Sequence, residues 1–147
     1  MVFCPNLFAH YSADFVHIEN RILTIAAVPD VETMLHETLH SAMAQYQKEI
    51  ISFAVKYGLS SFANREKMLQ YGYMNDESSA ALSHVIEECF VRAFSVVLAG
   101  RSERRLQFHA EYGCDSVPYI ASQIIKMSPT IKTLGKFVSS KLNDYSS

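Results

Sequence analysis

From Val31 to about Tyr57 the chain reads as one run of helical spacing, and His36, Glu37 and His40 interrupt its apolar middle. No other feature constrains the fold as tightly. Leu35, Leu39, Ala42 and Met43 fall on or beside one stripe, followed by Tyr46, Ile50, Phe53 and Ala54, so that face is expected to be buried. Asp30 is placed to cap the start, Glu32 suits the first turn, and Gly58 is a natural stop. Two imidazoles and a carboxylate in such a helix are costly to bury unless they have partners.

The spacing itself names a chemistry. Residues four apart on a helix stand one turn above each other, so His36 and His40 can present two imidazoles to one ion. Glu37 lies about 100° round the helix, where it can reach a water on that ion without being a ligand. Two imidazoles and one carboxylate suit Zn2+ well, and a catalytic zinc usually has three protein ligands and a fourth position for water. No third histidine follows His40 at short range, so the third ligand must come from elsewhere. The candidates stand together in a second apolar helix: His84, Glu87 and Glu88, with Glu88 favoured. Glu88 and Arg92 also have the i,i+4 spacing of an ordinary surface ion pair.

Organisation follows from the punctuation around these helices. FVHI and RILTIAA, between Phe15 and Ala27, are β-branched apolar runs joined by Glu19-Asn20 and read as a hairpin. Leu59 to Asp76 is mixed and reads as a short helix and a loop containing Tyr71-Gly72-Tyr73. A strong helix is expected over Ser78–Leu98, stopping at Gly100, with further helices over Val117–Lys126 and Ser128–Leu142. The expected fold class is α+β: a small, mostly helical domain with a short β-hairpin or small sheet packed on the helix of His36 and His40. Residues 1–147 are expected to form a single domain.

Composition excludes several alternatives. With 49% apolar and 19% charged residues and a net charge of −2, the chain is an ordinary globular protein with no nucleic-acid footprint. Its basic residues are scattered apart from Arg101, Arg104 and Arg105. No apolar run is long enough for a membrane span, and the N-terminus does not read as a signal peptide. Cys4, Cys89 and Cys114 are odd in number and contain no CxxC, which fits a reducing compartment. The expected location is therefore cytoplasmic, or within a domain of a larger exported protein. His10, His17 and His109 lack partner spacing and read as surface or half-buried residues, and Cys89 as core.

MLHETLHSAMAQY, followed a few dozen residues later by Glu88-Cys-Phe-Val-Arg92-Ala-Phe, resembles the lethal-factor-like zincins, which include the small Pro-Pro endopeptidases. The Glu-Glu-x-x-x-Arg-Ala-Phe form also resembles zincin-like domains of phage and other mobile elements. The resemblance implies a zincin-like domain acting as a one-zinc endopeptidase, with His36, His40 and Glu88 as ligands and Glu37 as base. It further implies a tyrosine that stabilises the oxyanion, from a loop resembled here by Tyr71-Gly72-x-x-Asn75. Two features depart from the pattern. Arg92 replaces a second acid, and about ten extra residues separate Tyr71 from Glu88. Tyr71, Tyr73 and His84 therefore all stand as candidates for the oxyanion donor.

The expected activity is peptide-bond hydrolysis on a peptide or protein substrate, aligned along the strand Arg21–Ala27. The alternative from another class is a catalytically silent zincin scaffold acting as an interaction or regulatory module. The retained Glu37 weighs against it, since a structural site does not need that carboxylate.

Overall fold

The structure, a computed structural model, describes residues 2–3, 13–19, 21–26, 30–57, 62–71, 79–126, 138 and 140. It is organised around one helix, α4 (Ser79–Leu98), buried on nearly every side. Residues 85–91 and 93–96 are buried without a break in either run, so neighbours must cover the whole circumference. They are α1 (Val31–Met43), α2 (Gln47–Tyr57), α5 (Glu103–Glu111) and α6 (Val117–Lys126), all in contact with α4. A short helix, α3 (Arg65–Gln70), completes the described helical body.

Local chemistry fixes each boundary. The Asp30 side chain accepts a bond from the Thr33 amide at 3.0 Å and satisfies one of the free N–H groups at the start of α1. Asn64 does the same for Lys67 at the start of α3, also at 3.0 Å. α4 ends where Gly100 adopts φ 64°; the Gly100 amide then bonds Val97 O and the Arg101 amide bonds Val96 O, closing a Schellman turn. The long helix expected from Val31 to Tyr57 is broken by a 3-10 turn at Ala44–Tyr46, which separates α1 from α2.

The core runs from Leu39 and Met43 on α1, through Ile50 and Phe53 on α2, to Ile86, Phe90 and Phe94 on α4 and Ile120 and Ile124 on α6. Phe62 joins it, with its ring 5.2 Å from Phe53 and 5.5 Å from Phe90. The Phe62–Met68 segment is clipped to the turn before α6 by two backbone bonds: Asn64 N to Gly113 O and Ser116 N to Phe62 O. No helix among the described residues is long and apolar enough to cross a membrane.

The expected fold class is corrected. The protein is mostly helical, and among the described residues every member of the core lies on a helix or a turn between helices. Backbone pairing exists before α1, where β2 (Ala13–Ile18) runs antiparallel to β3 (Arg21–Ala26) and β1 (Val2–Phe3) lies parallel to β3. These runs span six, six and two residues and contribute no described core residue. The β-branched alternation that suggested an α+β architecture is thus outweighed by one all-round-buried helix and its helical neighbours. In the strand order β1-β3-β2, β1 pairs with Ile25 and Ala26 alone, so it covers only that end of the β3 edge expected to align a substrate. The helix expected over Ser128–Leu142 lies outside the described residues except for Val138, which is buried, and Ser140.

Candidate metal centre

α1 and α4 lie side by side, and their facing surfaces bring together the residues expected to bind metal. His36 and His40 stand one turn apart on α1, with Nε2 atoms 3.1 Å apart and rings edge-to-face at 4.7 Å. Glu88, from the middle of α4, places Oε1 2.9 Å from His40 Nε2 and Oε2 3.7 Å from His36 Nε2. One ligand atom from each of the three residues lies within 4.8 Å of the other two. Glu88 is only 8% exposed, so the cluster is not an acidic surface patch.

The adjacent Glu87 takes a different direction. Its Oε1 lies 2.8 Å from His40 Nδ1, and its Oε2 accepts a bond from the Gln47 side-chain amide. Of the three candidates for the third ligand, the structure therefore brings Glu88 to the histidine pair and turns Glu87 to the back of His40.

The electrostatics fit a site for a cation. Burial works to lower the His40 pKa, but bonds to Glu87 and Glu88 and their negative charges outweigh it and raise the pKa to about 9. Burial pushes Glu88 upward, but His36, His40 and the charge of Arg92 hold its carboxyl well below the usual range. With Nδ1 facing a carboxylate, His40 turns the lone pair of its neutral form toward His36 Nε2 and Glu88. With a pKa of about 9 the metal-free ring is a cation near neutral pH, and a metal ion at this point would take the place of its Nε2 proton. Glu88 Oε2 is buried and receives no hydrogen bond from the described residues, although Arg92 Nε lies 3.0 Å away. The donor set of two imidazoles and one carboxylate fits Zn2+.

The remaining predicted site residues are distributed unevenly. Glu37 follows His36 on α1 and is half-buried. His84 sits at the rim, its side chain 60% exposed, with its ring stacked on His40 at 6.3 Å and Nε2 3.9 Å from Glu88 Oε1. Tyr71 closes α3 and stacks on Tyr112 at 4.5 Å, a contact with α5's end and not with the histidine pair. Tyr73 lies outside the described residues. His10 is likewise outside them, as is the side chain of His17. Cys89 is fully buried, and contact with Cys114 together with burial pushes its thiol well up, which suits a core residue and not a nucleophile.

No family model, curated protein or solved structure matches the chain. The case for its chemistry is carried by geometry.

Two participants were not identified from the sequence. Gln47 lies seven residues after His40, two helical turns along the same face, and that spacing was the available signal. His109, read as a surface or satisfied half-buried ring, is 3% exposed and lies against Arg92, with its Nδ1 3.4 Å from Arg92 Nη1. Nothing in its local sequence announces that contact.

Proposed function

We propose that the protein is a zinc-dependent peptidase whose metal is held by His36, His40 and Glu88. The observation that carries this reading is the convergence of two imidazoles and a buried carboxylate beside Glu37. A divalent zinc in such a donor set supplies Lewis acidity, which acidifies water and polarises a carbonyl.

The chain's own residues supply the rest. Glu37 accepts the proton of the attacking water and returns it to the leaving amine. His84, exposed and stacked on His40, is placed to donate to the oxyanion of the tetrahedral state. Tyr71 is the weaker candidate for that role, because its ring is engaged by Tyr112. The substrate class is a peptide, since a Lewis acid with a general base and an oxyanion donor suits attack on an amide carbonyl.

The test combines metal content with digestion of a peptide library by the wild type and by Glu37→Gln. The expected result is about one zinc per chain in both, with cleavage by the wild type and at least ~100-fold slower cleavage by the variant. A wild type that holds no zinc, or a variant that cleaves as fast, overturns the reading.

A further inference from the structure

Glu87 and Glu88 are consecutive on α4, so their side chains leave the helix about 100° apart. That angle sends them to opposite sides of one ring: Glu88 Oε1 lies 2.9 Å from His40 Nε2, and Glu87 Oε1 lies 2.8 Å from His40 Nδ1. Glu87 is only 6% exposed. Both of its oxygens are engaged, one by His40 and the other by the Gln47 amide from the first residue of α2. A carboxylate held at both oxygens is fixed in direction, behind the His40 ring.

The consequence for His40 follows from proton bookkeeping. A neutral imidazole carries one N–H and one lone pair, and an ionised carboxylate can only accept. Facing Glu87, Nδ1 must carry the proton. Nε2 faces Glu88 at 2.9 Å and His36 Nε2 at 3.1 Å; without metal it carries a proton as well, and a bound cation would take that proton's place and use the lone pair. We propose that Glu87, braced by Gln47, is a positioning residue that holds His40 in its Nδ1–H tautomer, so that Nε2 is the atom presented to the metal. This rests on the metal-centre reading and assigns the neighbouring glutamates separate duties, Glu88 as ligand and Glu87 as the support behind one. Carboxylate support of this kind fixes ring orientation and raises ligand basicity, and its loss typically weakens metal binding 10–100-fold.

The same contacts could merely join α1, α2 and α4, so the test includes readouts that a structural brace would leave unchanged. Long-range 15N–1H spectra of the zinc-loaded wild type should show His40 with the proton on Nδ1 and Nε2 as the coordinated nitrogen. Competition with a chelating dye should show Glu87→Ala binding zinc ~10–100-fold more weakly, still at one per chain. Glu87→Gln, which keeps an acceptor oxygen, should lose less. Gln47→Ala should shift affinity in the same direction by a smaller factor.

Unchanged zinc affinity in Glu87→Ala, or an Nε2–H tautomer in the wild type, overturns the inference and leaves the metal centre standing. A wild type that binds no zinc overturns both. Should Glu87→Ala not fold, the tautomer in the wild type decides.

Discussion

Arg92 Nε lies 3.0 Å from Glu88 Oε2, one turn along α4, so the carboxylate of the candidate metal centre has a guanidinium against its second oxygen. The contacts continue away from the site. Arg92 Nη1 meets His109 Nδ1 at 3.4 Å, and His109 Nε2 lies 3.6 Å from Glu32 Oε1, which also accepts a 2.8 Å bond from Arg105 Nε. Glu32 sits in the first turn of α1, the helix that carries His36 and His40. The row thus leaves Glu88 on α4, crosses α5 and returns to the helix of His36 and His40.

Arg92 is therefore expected to act as more than the weak surface pair its i,i+4 spacing allows. Arg92→Leu should lower the unfolding free energy of the metal-free protein by about 1–3 kcal/mol, because buried Glu88 is left with the His40 imidazolium as its counter-charge and nothing charged against Oε2 from α4. Arg92→Lys should recover only part of this, since a point charge cannot face Glu88 and His109 at once. Urea denaturation checks both, and wild-type stability in the leucine variant would show that solvent screens the pair.

His109 supplies a pH dependence with a definite sign. Burial, followed by the charges of Arg92 and Arg105, lowers its pKa from 6.5 to about 3. The folded protein keeps the ring neutral, whereas the unfolded chain gains a proton near 6.5. The stability from the neutral ring is therefore present above that value and falls as the pH drops toward 3. Glu32 and the more distant Glu88 oppose the arginines without reversing the shift. Between pH 6.5 and 5, above the carboxylate range, the wild type should lose about 1–2 kcal/mol. His109→Phe should flatten that slope, as measured by urea midpoints across the window.

How far the sequence could be read depended on whether local pattern or tertiary contact decided each feature. The contact of His36 with His40 was legible because i,i+4 spacing on a helix is local geometry. Glu88 was legible because an acid inside HVIEECFVRAF must find a partner if that helix is buried. The stop at Gly100 was legible from its type alone. α5 was missed because ERRLQFHAE is polar on most sides and buries only Leu106 and His109, so it carries little apolar period. The break at Ala44–Tyr46 has no proline or glycine to mark it. The fold class was misjudged because a short hairpin or small sheet was given a place in the architecture beside the helices, while the size of the helical core depends on contacts between distant segments. Tyr71 became a candidate by resemblance, and its contact with Tyr112 joins distant segments that no local pattern links.

Two glycines should respond differently to the same substitution. Gly100 has φ 64° and open space where a Cβ would stand, so Gly100→Ala should cost about 1 kcal/mol for the left-handed conformation alone. Gly113 has φ 102°, and its Cβ would lie 2.7 Å from Met68 Cγ and 3.0 Å from Asn64 O. That carbonyl belongs to the segment clipped to Gly113 by the Asn64 N–H bond, so it cannot easily retreat. Gly113→Ala should cost roughly 3 kcal/mol. Equal losses in thermal or urea unfolding would contradict the described clip between α3 and the turn before α6.

The central claim is tested most directly by zinc K-edge X-ray absorption on protein loaded with one equivalent of zinc and then dialysed. The account predicts retained zinc with two imidazole nitrogens at about 2.0–2.1 Å, a carboxylate oxygen at about 2.0–2.2 Å and no sulfur. Zinc lost on dialysis, or a sulfur neighbour at about 2.3 Å, would contradict a centre built from His36, His40 and Glu88.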